Sequence, residues 1–108
     1  MTQESTDALF RALGDPTRRA LFERLVAGEH SVSALAASFP ISQPAISQHL
    51  AALRAAGLVA VRKDGRNAFY RVDPKGLTPL VTWVDRYRAF WPAKLDKLKA
   101  VLRGMEEP

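Results

Sequence analysis

Residues 42–72 read SQPAISQHLAALRAAGLVAVRKDGRNAFYRV, and the fold turns on how this stretch divides. Ser42 is a good N-cap, Pro44 suits a first turn whose N–H groups are unpaired in any case, and Gly57 is a stop, so the spacing predicts a helix over 42–56. At about 100° per residue, Ile46, Leu50 and Leu53 fall within about 60° of arc and form an inward face. Pro44, Gln48, Ala51 and Ala55 lie opposite, with Gln43, Ser47 and Arg54 on the flanks. An unconstrained outer face ordinarily carries Glu and Lys, which suit both water and helix propensity. Residues 42–56 hold no acid at all.

Two β-rich runs follow, Leu58 to Lys63 and Asn67 to Val72, joined around Asp64-Gly65, the two-residue signal for a type I′ hairpin. Ala68, Tyr70 and Val72 alternate with Asn67, Phe69 and Arg71, so one face turns inward while Arg62, Lys63 and Arg66 gather near the tip. Basic residues also blunt an exposed edge strand, and for an isolated hairpin that role would suffice. Beside a groove-sized helix, contact with phosphates accounts for them better. The major groove of B-DNA admits one helix; small outer residues let its axis approach base edges, amides and hydroxyls read them, and a carboxylate would repel phosphate.

The charge distribution agrees. The chain carries 16 Lys and Arg against 11 Asp and Glu, a net charge of +5. Between residues 42 and 72, Arg54, Arg62, Lys63, Arg66 and Arg71 face Asp64 alone, whereas in residues 1–41 the acids Glu4, Asp7, Asp15, Glu23 and Glu29 outnumber Arg11, Arg18, Arg19 and Arg24. A basic patch so placed suits a polyanion, since neutralising phosphates releases counterions, although charge alone would equally describe a solvated face.

Upstream, Asp7 to Leu13 reads as a short amphipathic helix stopped by Gly14. Asp15-Pro16 caps and opens a second helix with Leu21 and Leu25 inward, ending at Gly28. Ser33 is placed to cap a third, carrying Leu35, Ala36 and Phe39 and closed by Pro40. Downstream of the Asp73-Pro74 turn, Leu77, Leu80, Val81, Val84, Tyr87, Trp91, Leu95, Leu98 and Leu102 recur at spacings of three and four. This last helix is expected to be long and kinked, or divided, at Pro92. Its apolar surface exceeds what the small helix-hairpin body covers, which points to pairing with a second chain; Trp83 and Trp91 read first as dimer core, with a ligand pocket between wing and helix as the alternative.

At 108 residues, with 47% hydrophobic and 25% charged residues, the chain reads as one folded domain over 1–108, with 1–14 and 77–105 as dimerisation helices. The absence of cysteine excludes disulfides and thiolate metal sites. No export signal precedes the first helix and no run approaches the roughly 20 apolar residues of a membrane helix, so a cytoplasmic protein without membrane association is expected.

Together LFRALGDPTRRALFERL and SVSALAASFPISQPAISQHLAALRAAGLVAVRKDGRNAFYRV resemble, in order and spacing, the ArsR family of winged helix-turn-helix transcriptional repressors over nearly the whole chain. The resemblance implies a mainly α fold with one two-stranded hairpin, in the order α-α-α-α-β-β-α. It implies a homodimer built on the first and last helices, helix 42–56 in the major groove, wing 58–72 on backbone or minor groove, and repression of a promoter, often the protein's own, through an imperfect palindrome in double-stranded DNA. Metal-sensing members commonly use a cysteine pair in the third helix or Asp/His/Glu sets on the last. Here the terminal helices lack histidine, so Asp85, Asp96, Glu106 and Glu107 have no imidazole partner. The chain therefore looks like the metal-independent branch, with no metal or cofactor and an inducer the sequence does not identify.

Gln43, Ser47 and Gln48 are the expected base-edge readers. Ser42 and Pro44 begin the helix, Pro44 being equally suited to a thymine methyl; His49 is placed for packing or phosphate; Arg54 is placed for phosphate or a neighbouring carboxylate. Arg62, Lys63 and Arg66 are assigned to phosphate or minor groove, and Ser31 and Ser33 lie where backbone could approach, although capping accounts for Ser33. Leu9, Phe10, Leu13, Leu80, Val84, Tyr87 and Trp91 are expected at the dimer interface. A rival reading is an adaptor whose basic surface binds an acidic protein, which predicts weak, sequence-independent DNA binding. An enzyme is not expected: Ser47 and His49 cannot face one another on one helix, no carboxylate follows to orient the imidazole, and no glycine-rich phosphate loop is present.

Overall fold

Helix α4, Gln43–Ala55, lies at the centre of the fold, and its Ile46, Leu50 and Leu53 are fully buried. The computed structural model describes residues 3–88, 90 and 92–106. Ser42 Oγ accepts from the Ala45 N–H at 3.2 Å, capping α4, and Gly57, at φ 79°, turns the chain out of it. Around this helix pack α1 (Gln3–Leu13), α2 (Pro16–Val26) and α3 (Val32–Ser38), whose Leu9, Leu21, Leu25 and Leu35 complete a core closed by Leu58 and Val59.

Helix α1 begins before the expected Asp7, with Glu4 in its first turn, where a carboxylate complements the helix dipole. Its carbonyl end is closed from α2: Arg18 Nε donates to Ala12 O at 2.8 Å and Arg19 Nη1 to Leu13 O at 2.8 Å. Asp15 Oδ1 accepts from the Arg18 N–H at 3.0 Å, which holds its carboxyl below the ordinary range. The acidic, proline and arginine residues of GDPTRR thus form a corner between two helices. The cap of α3 is Ser31, whose Oγ accepts from Ala34 N–H at 3.0 Å, in place of the expected Ser33. Ser31 holds the extended backbone a cap requires because it also ends a short strand, and Ser33, already inside the helix, is exposed.

That strand, β1 (His30–Ser31), adds a third member to the expected hairpin of β2 (Val59–Asp64) and β3 (Asn67–Val72), in the order β1-β3-β2, all antiparallel. Asp64 pairs with Asn67, so the two-residue loop is Gly65-Arg66 rather than Asp64-Gly65. Of these two loop residues only Gly65 has positive φ, 61°, which is the pattern of a II′ turn with glycine first and not of the expected I′ turn. The register that pairs Val61 with Tyr70 and Val59 with Val72 keeps the inward side chains together, and the turn follows from it.

After a 3-10 turn (Pro74–Leu77) the last helical region is two helices, α5 (Thr78–Arg86) and α6 (Pro92–Glu106). The expected long helix is divided rather than kinked: α5 closes at Tyr87, whose N–H donates to Val84 O at 3.1 Å, and Pro92 begins α6. Proline is tolerated at a helix start, where no intrahelical donor is lost. Leu95, Leu98, Val101 and Leu102 of α6 are exposed, as are Val81 and Val84 of α5.

Of the residues expected at a dimer face, Leu9 is fully buried in its own chain's core, and Leu13 and Leu80 pack against that core. Phe10 and Val84 remain exposed, at 41% and 39%. Trp91 lies outside the described residues. Trp83 packs on α1 and on its own helix's end: its ring meets Phe10 edge-on at 5.4 Å and Tyr87 at 5.0 Å, ring centre to ring centre.

Candidate nucleic-acid interface

The inward pull of Ile46, Leu50 and Leu53 sets which side of α4 faces out. Gln43, Pro44, Ser47, Gln48, Ala51, Arg54 and Ala55 are all exposed, a continuous face of amides, hydroxyl and methyl groups with Arg54 at one end. Ser42 is exposed too, its Oγ engaged in the cap. His49 is half-buried on the inner flank of α4.

The basic residues of the wing differ in their partners. Arg62 is engaged within the chain: Nη2 donates to Glu29 Oε1 at 2.7 Å, Nε donates to Oε2 at 3.4 Å, and the guanidinium lies 4.7 Å over the Phe69 ring. Asp64 adds a longer ion pair at 3.7 Å. The shared hydrogen bond holds the Glu29 carboxyl below its ordinary range and raises the Arg62 guanidinium. A forked pair on an aromatic face fixes a guanidinium in place, so Arg62 ties the hairpin to the loop before β1. Lys63 and Arg66 are exposed and, like Arg54, form no ion pair among the described residues. Glu29 had no local signal in the sequence, since it lies 33 residues from Arg62 and meets it only once β1 joins β3.

Gln43 and Ser47 meet Arg66 along one concavity between α4 and the wing. A helix face without acids thus stands beside exposed cations on a hairpin, with the core behind both. Such a surface can place side chains against base edges while neutralising phosphates alongside. Among the described residues, no three of His, Cys, Asp and Glu gather as a metal site would require.

Comparisons with known proteins agree with this geometry. Residues 13–62 match the helix-turn-helix domain family. The chain is 46% identical to an HTH-type transcriptional regulator of Mycobacterium tuberculosis, covering 87% of this chain and 85% of that one. It is 40% identical to the probable mercury resistance operon repressor of Streptomyces lividans, over 86% of this chain and 74% of the relative. The solved ArsR-like transcriptional regulator from Rhodococcus sp. superposes with a TM-score of 0.72 at 35% identity, covering 91% of this chain and 92% of that one.

Proposed function

Since this chain belongs to the ArsR family of helix-turn-helix, DNA-binding transcriptional repressors, we propose that it acts as a homodimer on an imperfect palindromic operator, with α4 in the major groove and the wing on the backbone or minor groove. The observation that carries this reading is the acid-free exposed face of α4 beside Arg66 and Lys63, which form no ion pair among the described residues. Gln43, Ser47 and Gln48 read base edges; Arg54, Lys63 and Arg66 neutralise phosphates; Arg62 acts by holding the wing in place. The work is binding, not catalysis.

The dimer forms through the first and last helical regions, 1–14 and 77–105, where Phe10, Val84 and Tyr87 offer surface beyond the core of one chain. Pairing two heads matches the two-fold symmetry of a palindrome, with half-sites one helical turn apart. No described helix is long and apolar enough to cross a membrane, and we place the protein in the cytoplasm with its operator. Regulation is expected to run without metal, and the promoter repressed is the protein's own.

Footprinting on the DNA upstream of the protein's own coding region tests this reading. The expected result is protection of an imperfect palindrome with two half-sites about 10 base pairs apart, centre to centre. Uniform, weak protection of any duplex would favour an adaptor with an incidental basic surface.

A further inference from the structure

Between the wing and α4 lies a notch lined by Ser31 and Ser33 at the start of α3, Gln43 and Ser47 on α4, and Arg66 and Asn67 at the wing turn. Its volume of about 190 Å³ falls below the roughly 300–1,000 Å³ of pockets that enclose drug-sized ligands. Its polar side chains come from three separate elements and include one cation and no acid. Ser31 Oγ already accepts from Ala34 N–H, so its own proton is left to donate. Ser33 has no capping duty, and Arg66 has no ion pair among the described residues. Hydroxyl, amide and guanidinium donors converging on a small space suit an anion with several acceptor oxygens.

The location narrows the anion. Gln43 and Ser47 belong both to the notch and to the exposed face of α4, so a duplex seated on that face carries its sugar-phosphate backbone across the notch. We propose that the notch seats one backbone phosphate of the bound DNA, with Arg66 neutralising it and Ser33 and Asn67 orienting it. This rests on the DNA-reading role proposed above and assigns to it two residues, Ser33 and Asn67, whose chemistry the helix face alone does not use. One phosphate held from α3, α4 and the wing together fixes the helix and hairpin in a single register on the duplex, the positioning role that backbone contacts serve.

The test uses the full chain and a duplex that it selects from a random-sequence pool, remade as a series with one neutral methylphosphonate at each backbone position. For the unaltered protein, one position per half-site is expected to cost roughly tenfold in affinity, while in Ser33→Ala, Asn67→Ala and Arg66→Ala that same substitution costs little more, because the partner is already gone. A purely structural role for these residues would weaken every duplex alike and leave the methylphosphonate penalty intact. Penalties that multiply independently at every position overturn the notch while leaving the DNA reading standing. Failure to select any sequence overturns both. Saturable binding of inorganic phosphate alone, with multiplicative duplex penalties, would assign the notch to a free anion and overturn the proposal.

Discussion

Gly76→Ala is expected to destabilise the protein by about 3 kcal/mol, at the upper end of what overpacking costs. A Cβ built at Gly76 falls 1.8 Å from Gly57 O, 2.5 Å from Gly57 C and 3.0 Å from Leu58 Cα. All three are backbone atoms, so no side-chain rotation relieves the clash. The backbone that would have to move is itself fixed: Gly57 turns the chain at φ 79°, Leu58 N–H donates to Leu53 O at 3.0 Å, and Asp73 N–H donates to Leu58 O at 2.9 Å. Pushing it away displaces the fully buried Leu58 and loosens the joint between α4 and β2. Denaturant unfolding checks the value through a lowered midpoint at unchanged slope. Gly28→Ala is the control, since nothing lies within 4 Å of its Cβ, and it should change stability little. Equal stability of the two variants would contradict the packing described for the 3-10 turn.

Val84→Asp is expected to give a folded monomer whose operator affinity falls by roughly a hundredfold or more, the advantage that joining two binding heads supplies. Val84 is 39% exposed and stands outside the buried core, so the fold of one chain survives the change. A carboxylate at the proposed dimer face would have to be desolvated without a partner, and the interface gives way first. Leu80→Asp is a poorer probe of the same idea, because Leu80 packs against its own chain's core and its loss confounds folding with pairing. Sedimentation velocity measures the oligomer directly, and circular dichroism checks that the helices remain. A variant that sediments as an unchanged dimer would remove Val84 from the interface.

Periodicity and capping residues made most of the fold legible in the sequence, because helix starts and inward faces depend on neighbours three and four positions away. The Ser42 cap, the Gly57 stop and the inward set Ile46, Leu50 and Leu53 are of this kind. What the sequence misplaced depended on distant partners. Ser31 takes the cap from Ser33 because β1 joins β3, and the loop shifts to Gly65-Arg66 because inward pairing across β2 and β3 sets the register. The same logic separates Arg62 from Arg66: both are basic wing residues in the sequence, but only the fold brings Glu29 to one of them. Helical spacing likewise put Leu9 and Phe10 on a common apolar stripe, and only packing against the core buries the first and leaves the second exposed.

The central claim, that α4 reads sequence while the wing supplies charge, is tested most directly by comparing Gln48→Ala and Arg66→Ala on operator and on random DNA across a range of salt. Gln48→Ala should weaken operator binding by about 1–3 kcal/mol and leave random DNA nearly unaffected, whereas Arg66→Ala should weaken both and reduce the salt slope by about one. Equal losses on operator and random DNA for both variants would contradict it.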